Sequence, residues 1–139
     1  MADFISFNEG RKELLNNGLP STCYFLLSTK PCSGTGALAV TDTLSGGVGE
    51  ITGTGYARQS QSEPTASAAN PSVISFSQMS FATSSATDWP SSVKSVVLVT
   101  TSDNTGKAIC AWNLVAGGTA RDLSQANTTE QVTPTLNLS

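Results

Sequence analysis

Between Lys94 and Leu114 the chain reads KSVVLVTTSDNTGKAICAWNL. Two apolar runs, Lys94 to Thr101 and Lys107 to Leu114, flank Ser102-Asp103-Asn104-Thr105-Gly106. That connection carries turn-forming chemistry, so the stretch predicts an antiparallel β-hairpin. On its second strand Ala108, Cys110, Trp112 and Leu114 alternate, and that face is expected to line the core.

Outward from the hairpin the strand signals continue. Val73 to Ala82 (VISFSQMSFA) changes phase across Ser77 and Gln78, as one strand with a bulge or two short strands would. Val132, Pro134, Leu136 and Leu138 alternate with polar residues, so the chain should end in a strand, at an edge or bulged where Pro134 cannot donate. Toward the N-terminus, Thr22 to Thr29 (TCYFLLST) and Glu50 to Ser60 (EITGTGYARQS) read as strands, the second with glycines that suggest a bulge or a close backbone approach. Asp88-Trp89-Pro90 reads as a turn, and Gln61 to Pro71 and Gly117 to Thr129 as connections.

One helix is expected, at about residues 6–18. Ser6 and Glu9 have capping-box spacing, Gly18 and Pro20 supply a stop, and Leu14 and Leu15 offer an apolar stripe too narrow for a core of its own. Such a helix suits the rim of a sheet or a partner subunit. Pro31 to Gly49 (PCSGTGALAVTDTLSGGVG) holds five of the twelve glycines and almost no periodicity. It reads as an extended surface loop or arm, at residues 31–49, able to reach something else.

Composition agrees with a β protein. Among 139 residues there are 20 serines and 18 threonines, and only 12% are charged. The fold class is therefore mainly β: a single domain, 1–139, forming an antiparallel sandwich or barrel with one short helix and long loops. The complete lack of histidine removes Ser-His-Asp and Cys-His nucleophiles, HExxH zinc sites and imidazole switches. The net charge of −3 and scattered cations offer no phosphate-binding stripe, so no nucleic-acid partner is expected. The longest aliphatic run, Val96 to Val99, is far below the roughly 20 residues of a membrane span, and the N-terminus lacks the cations and apolar stretch of a signal peptide. Cys23, Cys32 and Cys110 lack CxxC spacing and read as buried thiols.

Few motifs in the chain suggest chemistry. Gly34 to Ala39 matches GxGxxA, but no following helix or βαβ pattern supports a dinucleotide turn. Asp42, Asp88, Asp103 and Asp122 lack calcium-loop spacing and suit turns. No catalytic, cofactor-binding or metal-ligating residue is assigned. Trp89, beside Pro90 in a turn, is a candidate surface anchor for a partner, whereas Trp112 belongs to the core by its alternation.

A series of features carries a resemblance. NEGRKELLNNGL begins at Asn8, YFLLST at Tyr24 is soon followed by Pro31, and EITGTGYARQ spans Glu50 to Gln59. Trp89-Pro90 then leads to Val93, the Val96–Val99 run and GKAICAWNL. In this order the chain resembles a family of short tailed-bacteriophage virion proteins, often catalogued as tail-fibre-like or minor structural proteins. The resemblance implies a non-enzymatic β-sandwich subunit of the virion, made in the host cytoplasm, with no cofactor and no membrane. Expected partners are further copies of itself and other virion proteins, the major capsid protein before tail proteins. A capsid decoration or minor capsid role is favoured because the chain has neither heptads nor a G-X-Y run for a fibre shaft. A minor tail, tail-tip or fibre subunit is the alternative, as is a receptor or carbohydrate-binding module. Within the box, Tyr56 is expected to pack and Arg58 to make a forked contact across a subunit boundary. Tyr56, Arg58 and Trp89 are thus the candidate partner-binding residues.

Overall fold

The computed structural model describes residues 3–62 and 73–137. In chain order its elements are β1 (Phe4–Ser6), α1 (Asn8–Asn17), β2 (Thr22–Ser28), β3 (Gln59–Ser62), β4 (Val73–Ser75), β5 (Met79–Ala82), β6 (Ser95–Val99), β7 (Ala108–Asn113), β8 (Thr129–Val132) and β9 (Thr135–Asn137). Five strands form one antiparallel sheet in the order β1-β7-β6-β2-β3, while β4 pairs with β9 and β5 with β8. The architecture is sandwich-like, and among the described residues no barrel closes. Most of the Gln61 to Pro71 connection, and Leu138, lie outside the described residues.

The expected β6–β7 hairpin is present, and its strands pair across the turn. Its register passes from Leu98↔Cys110 to Val99↔Ala108, which makes Ile109 the extra residue of a bulge. The bulge corrects the expected single face. Ile109, Cys110, Trp112 and Leu114 belong to the front core, whereas Ala108 and Ala111 belong to the back one.

The central strands divide their side chains by the two-residue period. Cys23, Phe25, Leu27, Val96 and Leu98 face a front core closed by Phe76, Met79, Phe81 and Leu136 of the smaller ladders and their joins. Leu26, Val97 and Val99 face backward, where Phe7, Cys32, Leu38, Leu44 and Val48 cover them. The 31–49 segment is therefore no free arm. Four of its apolar side chains are buried against the sheet, because strands apolar on both faces must be covered on both. Ser28 Oγ donates to Val48 O (2.6 Å), Lys30 Nζ to Gly47 O (2.6 Å), and Asn8 N to Val40 O (2.8 Å).

The helix departs from its expected cap. Phe7 occupies the N-cap position with no side-chain cap bond. Glu9 instead reaches away from the helix, its Oε1 accepting from both Leu44 N and Ala108 N at 2.8 Å. One carboxylate oxygen thus pins α1, the covering segment and β7 together. Gly10 is buried because α1 lies directly on the bulge, and a Cβ there would overlap Ile109 Cα. Leu14 packs toward the front core, but Leu15 is 88% exposed and anchors nothing.

Three further expectations resolve in detail. Val73 to Ala82 forms two strands that join different ladders. The C-terminal strand is split, since Pro134 falls between β8 and β9 and its carbonyl accepts from Phe76 N (3.0 Å). Of Glu50 to Ser60, Glu50 makes one bridge to Ser28, and regular pairing begins only at Gln59. No helix among the described residues is long and apolar enough to cross a membrane.

Candidate functional site

The three candidate residues are brought together: Tyr56 touches Trp89, and Glu50 joins Tyr56 to Arg58. Tyr56 stacks on Phe81 (centroids 6.3 Å apart, planes at 17°) and meets the edge of Trp89 (5.5 Å, 87°). Its hydroxyl accepts from Leu27 N (3.0 Å) and donates to Glu50 Oε2 (2.9 Å). Burial, the dominant cause, together with the neighbouring Glu50 carboxylate pushes the phenol far above its ordinary range, so it stays protonated.

Arg58 closes its fork inside the chain. Nε and Nη2 donate to Glu50 Oε2 and Oε1 at 2.9 and 2.8 Å, a bidentate pair. Nη1 donates to Thr101 O (3.0 Å) and Asp103 O, and Nη2 also to Asn104 Oδ1 (2.6 Å). The side chain is only 7% exposed. The contact expected across a subunit boundary is therefore an internal one, which fixes the tip of the β6–β7 hairpin against the Glu50–Gln59 box.

Trp89 also corrects its expectation. It is 3% exposed and part of the front core, with Nε1 donating to Thr54 O (2.8 Å). Gly53 is the close approach that the sequence suggested, since a Cβ there would overlap the indole ring. Asp88 secures the same turn from outside. Its carboxylate accepts from Thr54 N (2.9 Å) and Thr54 Oγ1 (2.8 Å), and these bonds hold its pKa below the ordinary 3.8.

Glu50, Gly53, Tyr56 and Arg58 wall an open cleft of about 600 Å³, which Trp89 and Asp88 do not line and whose rim includes Thr52, Ala57, Ser102, Asp103 and Asn104. The strong donors and acceptors at its floor are already paired with one another. What the cleft offers a partner is its shape and the exposed polar rim, held rigid from below. Sequence reading missed Glu50 as the centre of this network. It was visible only as a letter in the box, because its partners Tyr56 and Arg58 have no spacing that distinguishes a buried pair from a strand surface.

Several other polar groups among the described residues make internal bonds. Asp3 Oδ1 accepts from Asn113 Nδ2 (2.8 Å) and Gly117 N (2.7 Å), which lowers its pKa in that order of effect. Arg121 Nε donates to the buried Glu130 (2.9 Å). Burial pushes the Cys32 thiol up to about 12 and Cys110 well above its usual value. Gly34 to Ala39 is a turn-rich loop with no helix after it, which leaves its glycines without the helix terminus a pyrophosphate needs. Among the described residues no group of three or more acidic or cysteine side chains is placed to hold a metal ion. Comparison with protein families, curated proteins and solved structures finds no match to the chain.

Proposed function

We propose that the chain is a non-enzymatic bacteriophage virion subunit, a capsid decoration or minor capsid protein that binds the assembled shell. One observation supports this reading most directly. The residues that carry the resemblance, Glu50, Tyr56 and Arg58, are joined in a half-buried lock that fixes the 101–104 hairpin tip. A rigid subunit loses little conformational freedom on docking, which suits a protein added to a shell already built.

On this reading the partners are the major capsid protein and neighbouring copies of the chain. The 31–49 segment is occupied on its own sheet, so the shell is met by exposed loops such as Ser102-Asp103-Asn104. The purified protein, incubated separately with undecorated capsids and isolated tails, should sediment with capsids and saturate in proportion to the shell's repeating units. A few copies bound to tails alone would establish the tail subunit instead, and binding to neither would overturn both.

A further inference from the structure

A second groove, of about 330 Å³, lies between the end of β7 and the β8–β9 join. Trp112, expected in the core, is half-buried here and lines it. The indole is held on three sides. Nε1 donates to Thr135 O (3.1 Å), the Phe4 ring meets it edge-on (5.7 Å, 60°), and Phe25 lies 6.4 Å away. The ring plane is thus set before anything binds.

We propose that this groove binds a neutral sugar ring. None of its lining residues is charged, so nothing matches a phosphate, a carboxylate or an ammonium group. An aromatic platform beside hydroxyl and carboxamide groups matches a ligand with C–H faces and many hydroxyls. Gln131, Thr133 and Thr135 are the exposed polar residues beside the ring. Gln131 Oε1 accepts from Gln78 Nε2 (3.3 Å), which orients its carboxamide so that the N–H donors serve the ligand. An extended proline-rich peptide is less well matched, because such ligands dock in grooves lined by several aromatic rings and this one has a single indole. The inference rests on the groove alone and not on capsid binding.

The test uses the isolated, isotopically labelled protein and the methyl glycosides of glucose, galactose, mannose and N-acetylglucosamine, each taken to tens of millimolar. With at least one of them the Trp112 indole N–H signal and the Gln131 and Thr133 amides should shift saturably, while the Trp89 indole stays still. Gln131→Ala, at an exposed position that leaves the fold intact, should weaken that binding about fivefold, the effect of one lost neutral hydrogen bond. Trp112→Phe assigns the indole signal. No saturable shift with any glycoside, a shift that Gln131→Ala and Thr133→Ala both leave unchanged, or binding of a polyproline peptide in place of the sugars would overturn the proposal.

Discussion

Arg58 illustrates how far a single side chain can be read. Its place in the GTGYARQ box singles it out, but its acceptors Thr101, Asp103 and Asn104 lie more than forty positions away in sequence. No local pattern announces such a pairing. Removing one partner of a buried ion pair leaves the other unmatched, at about 3–5 kcal/mol when both are fully enclosed. Glu50 keeps 26% of its side chain in water, so Arg58→Ala should cost less, about 2 kcal/mol, in urea unfolding. Arg58→Lys should recover only part of this, because an ammonium cannot fork. The three cysteines give a second residue-scale test. Cys23, Cys32 and Cys110 are buried, and Cys32, pushed up to about 12, is almost wholly thiol at mildly alkaline pH. Native protein should resist iodoacetamide there and take up three labels once unfolded, a count read by mass spectrometry.

Among the elements, those with strong period-two patterns were legible, and those shaped by a neighbour were not. The hairpin, the TCYFLLST strand and the phase break at Ser77-Gln78 all appear where the apolar runs, their bounding residues and the alternation put them. The capping box failed because Glu9 finds better-placed donors in Leu44 and Ala108 than in its own helix end. Those donors lie 35 and 99 positions away. Gly10 carries the sharpest test at this scale. Alanine is about 1 kcal/mol better than glycine in an open helix, yet here its methyl meets the backbone of Ile109. Gly10→Ala should therefore destabilise, by about 1–3 kcal/mol net of that gain, as overpacking does. Gly18→Ala, with nothing near its Cβ but φ at +72°, tests strain without a clash.

For the whole molecule, the covering of both faces was implicit in the unbroken apolar character of Phe25 to Leu27 and Val96 to Val99. The cover itself was hidden. Cys32, Leu38, Leu44 and Val48 recur at no helical or strand period, so a glycine-rich stretch looked like an open arm. Because it is packed, native protein should withstand limited proteolysis between Pro31 and Gly49. Leu44→Asp should open it, with cleavage in that segment as the readout. The acid limit of stability also belongs to this scale. Asp3, Asp88, Asp103 and Asp122 all have folded pKa values below the ordinary 3.8. Their contributions are complete above that value and are lost as the pH falls through the lower folded ones. Tm should thus hold from neutrality to mildly acid pH and then drop. Asp88→Asn should make that drop shallower.

The order of the strands has a consequence for the chain as it is made. β2 sits between β6 and β3, and the covering segment rests on residues of β6 and β7. When Leu26 and Leu27 leave the ribosome, the strand they need has not yet been translated, and of the surface that the 31–49 cover packs against only Phe7 and β2 have been made. Neither face of the sheet can be sheltered until Val99, and then Ala111, has followed. The nascent protein therefore carries an exposed apolar strand through most of its synthesis. Pausing or chaperone occupancy should be greatest in that interval and should end abruptly once the hairpin emerges.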